Sequence, residues 1–268
     1  MKYNYCVLAL VIGCAEISFS ATVTKEFRQN FLLQQGGDVV VENINGNISI
    51  ESWDRDSVEV FAEIEVKAEN RRDAEEFIEE VHIEIGYQAD RLSVEPNYPK
   101  SEGGNSILDW IFGRTKPQVN IQFWIKIPSI MNLNLESVNG QIAVESVKGS
   151  SVLRTTNGTI KANRMEGSVD GETVNGSLRI NISEMSGEDE VVLHTTNGNI
   201  DLILPEDIEA DVEASTVNGG ISTDFPLEVQ GKLNNKQLRG RIHGGGSLIE
   251  LNTVNGSIRI NKEYDDGI

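Results

Sequence analysis

The chain has 268 residues, of which 38% are hydrophobic, and it carries a formal net charge of −19. A charge of this sign repels phosphate backbones and anionic lipid, so the composition argues against nucleic-acid binding and leaves cationic partners or divalent metal ions open. Ile, Val, Leu and Thr recur along the chain together with 25 Gly, which is typical of a folded protein rich in strands and turns.

The first twenty residues have the features of an export signal. Lys2 precedes an apolar run at residues 6–13, which is too short to span a bilayer and fits the core of a signal peptide. Ser18 and Ser20 before Ala21 form a small-x-small cleavage site. We therefore predict a signal peptide over residues 1–20, and export to the periplasm or the cell surface.

The same segment permits a second interpretation. The sequence Val11-Ile12-Gly13-Cys14 resembles a bacterial lipobox, which would leave a lipidated Cys14 as the first mature residue and make the chain an outer-membrane lipoprotein. Cys6 and Cys14 are the two cysteines of the chain. The mature protein then has no disulfide, no thiolate nucleophile and no cysteine zinc site on either interpretation.

Residues 21–135 are predicted to form an N-terminal β region with a small α/β insertion. Apolar and polar residues alternate over residues 58–66, and a short helix is expected near residues 70–81, because Asn70 can cap it with Asp73 three residues later. Strands are expected near residues 82–86 and 91–94.

A long loop is predicted over residues 95–117, which are rich in Gly, Pro, Ser and Asn. Within it lies a strongly apolar segment that includes Trp110, Ile111 and Phe112. This segment either caps an open end of the core or binds a partner, and these three residues are the candidate binding residues. After the loop, alternation from Gln118 to Leu135 predicts a strand that leads into the repeats.

The region from 136 to 262 is dominated by an internal repeat, and residues 263–268 are interpreted as a tail. Asn-Gly occurs seven times in the chain, at Asn45-Gly46, Asn139-Gly140, Asn157-Gly158, Asn175-Gly176, Asn197-Gly198, Asn218-Gly219 and Asn255-Gly256. Every copy has Ile or Leu two residues after the Gly, and six copies have Ser or Thr two residues before the Asn. The steps from Gly140 to Gly158 and from Gly158 to Gly176 are 18 residues long, and the last step is 37, which we interpret as two periods with one degenerate copy.

These repeats favour an all-β, β-solenoid-like stack of two-strand coils of about 18 residues with Asn-Gly corners. A two-residue hairpin would pair Val138 with Gln141 on one face, whereas a three-residue corner places Val138 and Ile142 both inward. At the corners Gly is expected to supply positive φ, and stacked Asn side chains to hydrogen-bond between coils. A β-meander or sandwich is the alternative. Residues 21–262 are expected to form one continuous domain.

The motifs resemble those of the DUF4097 family. The repeated Val-Asn-Gly-x-Ile, the sequence Trp53-Asp54-Arg55-Asp56 after the first repeat, and Thr223-Asp224-Phe225-Pro226-Leu227 near the end carry the resemblance, which extends from about residue 22 to 262. The family is described as candidate adhesins of bacterial envelopes. The resemblance implies a β-solenoid-like fold and export, with no catalytic residues to carry over.

No motif for catalysis, a cofactor or a metal ion stands out in the sequence. A carbohydrate-active β-solenoid enzyme, the main alternative, would need carboxylates converging on one face. The outward column five residues after each Gly includes Glu51 and Glu145, but we expect no carboxylate pair from neighbouring coils there. The scattered His82, His194 and His243 are interpreted as ordinary surface residues.

The sequence thus predicts a non-catalytic exported envelope protein that presents a β-repeat surface for adhesion, binding or scaffolding. Flat stacked strands bury little of a small ligand, so a polysaccharide, another polymer or an envelope protein is the expected partner. An envelope stress or signalling module that binds another protein is a third possibility. The sequence does not specify an oligomeric state.

Overall fold

The computed structural model describes residues 20–99, 117–229 and 235–263. Within these ranges the chain forms two large β-sheets and one helix, and the two sheets share one hydrophobic core. The predicted signal peptide up to residue 19, the alternative lipidation site Cys14, and Trp110, Ile111 and Phe112 lie outside the described residues.

Sheet A is the ten-stranded sheet of the described residues. Its strands are numbered in chain order, and their spatial order is β1 (Ala21–Phe31), β4 (Val58–Ala68), β7 (Gln118–Pro128), β3 (Ile48–Trp53), β9 (Ile142–Glu145), β11 (Ile160–Glu166), β13 (Leu178–Glu184), β15 (Ile200–Leu204), β21 (Ile258–Lys262) and β17 (Ile221–Thr223).

Sheet B has eleven strands among the described residues. In spatial order they are β18 (Glu228–Val229), β19 (Gln237–Ile242), β16 (Ala210–Asn218), β20 (Ser247–Asn255), β14 (Glu190–Asn197), β12 (Val169–Asn175), β10 (Ser151–Asn157), β8 (Asn132–Asn139), β2 (Asp38–Asn45), β6 (Arg91–Asn97) and β5 (His82–Gln88).

One repeat makes one coil of the stack. The chain runs along β10 in sheet B, turns at Asn157-Gly158, returns along β11 in sheet A and turns again at Gly167 before β12. Strand β12 lies parallel to β10 with Thr155 opposite Thr173, a step of one coil. Each Asn-Gly pair therefore joins the two sheets instead of closing a hairpin, and the prediction of a β-solenoid-like fold is confirmed.

The corner asparagines form a continuous ladder. The spatial order is Asn45, Asn139, Asn157, Asn175, Asn197, Asn255 and Asn218, and the Nδ2 of each Asn after the first donates to the Oδ1 of the one before it at 2.7–2.9 Å. Amide side chains suit this role because each supplies both a donor and an acceptor. The ladder fixes the register of the coils at this edge.

The residue before each corner Asn faces outward, so the prediction that Val138 points inward is wrong. Val174, Val217 and Val254 in the same column are 40%, 57% and 41% exposed. The buried column is instead the Ser or Thr two residues before the Asn. The five Thr hydroxyls of this column are satisfied inside the stack, as where Thr173 Oγ1 donates to the Gly158 carbonyl oxygen at 3.0 Å, whereas the Ser137 hydroxyl has no partner. Burying a hydroxyl is tolerated there because it has this partner.

Glycine is required at the Asn-Gly corners because the backbone of the neighbouring coil lies too close for a Cβ. Among these seven glycines, positive φ occurs only in the first copy. Gly46 has φ 119°, whereas none of the other six corner glycines has φ between +20° and +160°. A Cβ on Gly176 would overlap the carbonyl oxygen of Gly158 in the adjacent coil, and the other corners are equally tight. The expectation that Gly supplies positive φ at every corner is therefore wrong.

The last coil does not lie at the end of the stack. Strand β20 pairs in parallel with both β14 and β16, and β21 pairs with both β15 and β17. The long 37-residue step is not two periods with a degenerate copy. It contains β17 to β19, of which β19 runs antiparallel to β16 and is followed by the edge strand β18 in sheet B.

The first repeat copy is also inside the stack. Although 94 residues separate Asn45 from Asn139, β2 pairs in parallel with β8 and β3 with β9. The chain between them adds β6 beside β2 and β7 beside β3, so the predicted single strand from Gln118 to Leu135 is in fact two strands, β7 and β8.

Helix α1 (Arg71–Glu80) lies at one end of the stack and confirms the short helix predicted near residues 70–81. The Asn70 side chain accepts a hydrogen bond from the Asp73 backbone N–H at 3.0 Å, which satisfies one of the free donors of the first turn. Ala74 and Ile78 are buried and α1 packs on β1 and β4. No helix in the described part of the chain is both long enough and apolar enough to cross a membrane.

Candidate functional site

A single row of outward-facing side chains crosses the whole of sheet A. It is built by one residue from each strand, each in register with the next, and we call it the outer row: Arg28, Phe61, Trp124, Ser49, Ala143, Lys161, Arg179, Asp201, Arg259 and Ser222. Nine strand spacings of about 4.8 Å make this row roughly 43 Å long. In the repeat copies it is the column three residues after each Gly.

An aromatic platform occupies one part of the outer row. The rings of Phe61 and Trp124 stack with their centroids 5.4 Å apart, and the Arg28 guanidinium lies 4.7 Å from the Phe61 ring centroid. Trp124 is 41% exposed although it is central in a strand. A large ring held rigidly by its neighbours and left open to solvent is a surface on which a flat apolar ligand face can stack.

Beside the platform lies a trough of about 500 Å³. Trp124 forms one wall, the small side chains of Ser49 and Ala143 lie at its base, and Lys161 stands on the far side. Trp124 and Lys161 are three strand spacings apart, roughly 14 Å. The trough is open to solvent along its length, so it suits a segment of a long ligand better than a small molecule that needs enclosure.

The cations at the other end of the row surround one buried carboxylate. Asp201 is 8% exposed and accepts from Arg259 Nε at 2.5 Å, while Arg179 Nη2 lies 3.7 Å away. The hydrogen bond and the negative charge of Asp201 raise the pKa of the Arg259 guanidinium. Arg259 is thus the main partner of Asp201, and Arg179, whose side chain is 63% exposed, is held only at long range.

The row next to the trough contains two carboxylates side by side. Glu51 on β3 lies directly opposite Glu145 on β9, so the expectation that neighbouring coils present no such pair is wrong. The sequence did not indicate this pair, because the two coils are adjacent in space but 94 residues apart in sequence. Glu51 pairs with Lys126 at 3.9 Å and Glu145 with Arg164 at 2.6 Å.

On the corner side the outer row is flanked by a second row, one residue from each coil, in which all but one residue are polar and uncharged. They are the residues directly after each Gly: Asn47, Gln141, Thr159, Ser177, Asn199, Gly220 and Ser257. Several are already ordered between coils, as where Asn199 Oδ1 accepts from the Ser257 backbone N–H at 2.9 Å. All but Gly220 have side-chain hydrogen-bonding groups, and these lie beside the outer row.

The outer face of sheet B has a larger groove of about 760 Å³, but its chemistry is different. Glu42 lies opposite Glu136 and close to Glu95, and burial together with these two charges raises the pKa of the Glu42 carboxyl. The wall at Tyr98 and Pro99 leads into residues 100–116, outside the described part of the chain. We therefore place the candidate site on sheet A, whose outer row is fully described.

Glu42→Gln should stabilise the protein at neutral pH. Like charges opposite each other on a sheet cost about 0.2–1 kcal/mol, which corresponds to a rise in Tm of about 1–3 °C for a chain of this size. Because the folded-state pKa of Glu42 is raised, the wild type loses stability as pH rises through that pKa and regains it below the unfolded value. The gain should therefore be present at pH 7–8 and vanish below about pH 4 in thermal unfolding.

A matched control is Glu172→Gln on the same face, since Glu172 has a cation, Arg154 Nε, 3.7 Å away. This variant should show no gain. An equal rise in Tm for both variants, or a gain that persists at low pH, would contradict the repulsion at Glu42.

Comparison with known proteins assigns the chain to a family. The family model described as Toastrack DUF4097 matches residues 16–261. The chain belongs to this family. The resemblance drawn from the repeats is thereby confirmed.

Solved structures similar to this Toastrack chain are distant in sequence. A candidate cell adhesion protein from Clostridium sporogenes is 12% identical with a TM-score of 0.45, covering 89% of this chain and 100% of that one. A candidate adhesin from Bacteroides fragilis is 9% identical with a TM-score of 0.41, and covers 89% and 97%. A candidate lipid-binding protein from Parabacteroides distasonis is 11% identical with a TM-score of 0.24, and also covers 89% and 97%. No curated protein matches the chain.

None of the candidate binding residues named from the sequence lies in the outer row: Trp110, Ile111 and Phe112 are outside the described residues, and only Glu51 and Glu145, named for the enzyme alternative, line the trough. The Asn-Gly corners lie at one edge of the sheets and are occupied in hydrogen bonds between coils. Within the described ranges, no group of three or more His, Cys, Asp or Glu residues is arranged to hold a metal ion. Trp124, Phe61, Lys161 and Arg179 were not singled out by the sequence, although the column three after each Gly contains the last two.

Proposed function

We propose that this Toastrack chain is an exported envelope protein that binds a polysaccharide along the outer row of sheet A. The observation that supports this most directly is the exposed Trp124 on its stacked platform, beside an open trough. The C–H face of a sugar ring is apolar and stacks on such a ring, while its hydroxyls need hydrogen-bonding groups nearby. The uncharged polar residues after each Gly supply those groups.

The shape of the face favours a polymer over a small sugar. The outer row runs without interruption across ten strands, and its trough is open at the surface. Each sugar residue would make few contacts, so affinity would come from many residues of one chain binding in series. This is the kind of ligand that an adhesive or scaffolding surface in a cell envelope meets.

Trp124→Ala should reduce the affinity for a bound polysaccharide roughly thirtyfold, since truncating an aromatic hot spot typically costs about 2 kcal/mol. Affinity is measured by gel electrophoresis with a panel of neutral and acidic polysaccharides, followed by titration calorimetry with those that retard the protein. The control is Tyr87→Ala, which removes a ring of similar exposure, 49%, from the edge of sheet B. It should leave affinity unchanged.

Two outcomes would count against the proposal. A panel in which no polysaccharide retards the wild type would exclude polysaccharide binding, and capture of an envelope protein by crosslinking would then favour the protein-partner alternative. Shortened polysaccharide chains after incubation would instead support catalysis, with the neighbouring Glu51 and Glu145 as the first carboxylates to replace.

Export is a separate element of the proposal. It is supported by the charged and apolar segments of residues 1–20. Mass spectrometry of the protein isolated from envelopes should find Ala21 as the first residue. A first residue Cys14 carrying acyl chains would show the lipoprotein alternative, and an intact Met1 would contradict export by either route.

A further inference from the structure

The outer row is basic on a chain that is strongly acidic overall. The formal net charge of the whole chain is −19, whereas the row carries four cations and one carboxylate. The four cations are Arg28, Lys161, Arg179 and Arg259, and the carboxylate is Asp201. The outer row therefore has a formal excess of positive charge on an acidic molecule, and ligands with negative charge would recognise it.

The carboxylates near the trough do not cancel this charge. Glu51 is paired with Lys126 and Glu145 with Arg164, while Glu59 of the same row is paired with Arg28 of the outer row at 3.6 Å. The carboxylates next to the trough are thus matched without Lys161 and Arg179, whose positive charges are left over.

Two cations next to the trough are available to a ligand. Lys161 is exposed, and its ammonium group forms no ion pair or hydrogen bond with any described residue. Arg179 reaches Asp201 only at 3.7 Å, and that carboxylate is already bonded to Arg259 at 2.5 Å. Lys161 and Arg179 are opposite each other on adjacent strands, and both point away from the core.

Their spacing indicates the kind of anion. Adjacent strands are about 4.8 Å apart, which is close to the length of one pyranose residue in an extended polysaccharide. A polymer with one carboxylate on each sugar would bring successive charges to Lys161 and then to Arg179. The same chain would extend across the small Ser49 and Ala143 and stack a sugar on Trp124.

We propose that the outer row binds a polyuronate, a polysaccharide with one carboxylate per sugar, with Trp124 stacking on a ring and Lys161 and Arg179 binding successive carboxylates. This rests on the proposed polysaccharide-binding function and specifies its ligand. The two cations select for charge, and the platform supplies stacking that is independent of charge.

The test compares two forms of one polymer. Polygalacturonate and its fully methyl-esterified, neutral form differ in charge and share a backbone, and each is titrated into the mature wild-type chain. We expect about fivefold to tenfold tighter binding of the acidic form, the size expected from two exposed ion pairs. The preference should decrease as salt is raised, because exposed charges are screened.

The double variant Lys161→Gln, Arg179→Gln should bind the two forms equally and retain its affinity for the neutral one. Arg72→Gln, on the exposed surface of α1, is the matched control and should keep the full preference. Trp124→Ala should weaken binding of both forms alike. Circular dichroism confirms that each variant is folded.

The outcomes separate this inference from the proposed function. Equal binding of both forms by the wild type, or a preference that survives in the double variant, overturns the polyuronate assignment and leaves polysaccharide binding in place. Tighter binding of a sulfated polysaccharide with the same salt dependence overturns the carboxylate assignment. Failure of every polysaccharide to bind overturns both.

Discussion

Replacing Gly176 with Ala should destabilise the folded chain by more than about 3 kcal/mol, above the usual cost of overpacking a core. The added Cβ would overlap the carbonyl oxygen of Gly158 in the adjacent coil. That oxygen belongs to backbone held by the hydrogen bond from Gly158 N to the Asn175 carbonyl at 3.2 Å, so it cannot move aside as a flexible side chain would. Urea unfolding followed by circular dichroism measures the loss.

Gly187→Ala provides the comparison. Gly187 lies in a turn, and a Cβ there would meet nothing within 4 Å. The free energy of unfolding of this variant should lie within about 0.5 kcal/mol of the wild-type value, as it usually does for surface substitutions. If the two variants unfolded at the same urea concentration, the corners could not be so closely stacked, and the explanation for the glycine column would fail.

Ending the chain after Gly246 should abolish cooperative folding. In an ordinary solenoid the last coil lies at an end, and its loss exposes only one neighbour. Here β20 and β21 lie between other strands in both sheets, so their removal leaves unpaired strand edges on two sides. It also removes Leu251, Ile258 and Ile260, all fully buried.

The size of this effect follows from the burial. Removing one such side chain to Ala costs about 2–5 kcal/mol, and three together match or exceed the 5–15 kcal/mol by which most domains are stable. The shortened chain should therefore be insoluble or show no thermal transition. Val254→Ser, a change at a 41% exposed position in the same coil, should be close to neutral. A shortened chain with a wild-type transition would place this coil at the end of the stack.

The position of the last coil has a consequence for folding. Residues 247–262 come after β16 to β19 in the chain, yet they form strands inside both sheets, with β20 between β16 and β14 and β21 between β15 and β17. The coil of β16 and β17 can pair with the rest of the stack only after β20 and β21 have folded between them. The stack thus cannot close in order from the first residue to the last, unlike a solenoid whose coils follow the sequence.

The candidate site could be predicted from the sequence only in part. Lys161 and Arg179 stand in one column of the repeat, and aligning the copies on Gly brings them together. Trp124 and Phe61 do not belong to the repeat. They reach the same row because β4 and β7 add to sheet A next to β3, a pairing that no local pattern encodes. The one local signal was the position of Trp124, which falls on the polar face of a strand in which apolar and polar residues alternate.

Local features could be predicted from the sequence. The period and the residue types indicate the strands, the corners, the helix cap at Asn70 and the inward columns of Ile and Leu. Those properties depend on neighbours within a few residues, or on a repeat that is visible at fixed spacing. The tertiary structure decided four other features: the order of the coils, the outward orientation of Val138, the pairing of Glu51 with Glu145, and the outer row. They depend on which strands lie side by side, and that is settled by burial of the whole core and not by any segment alone.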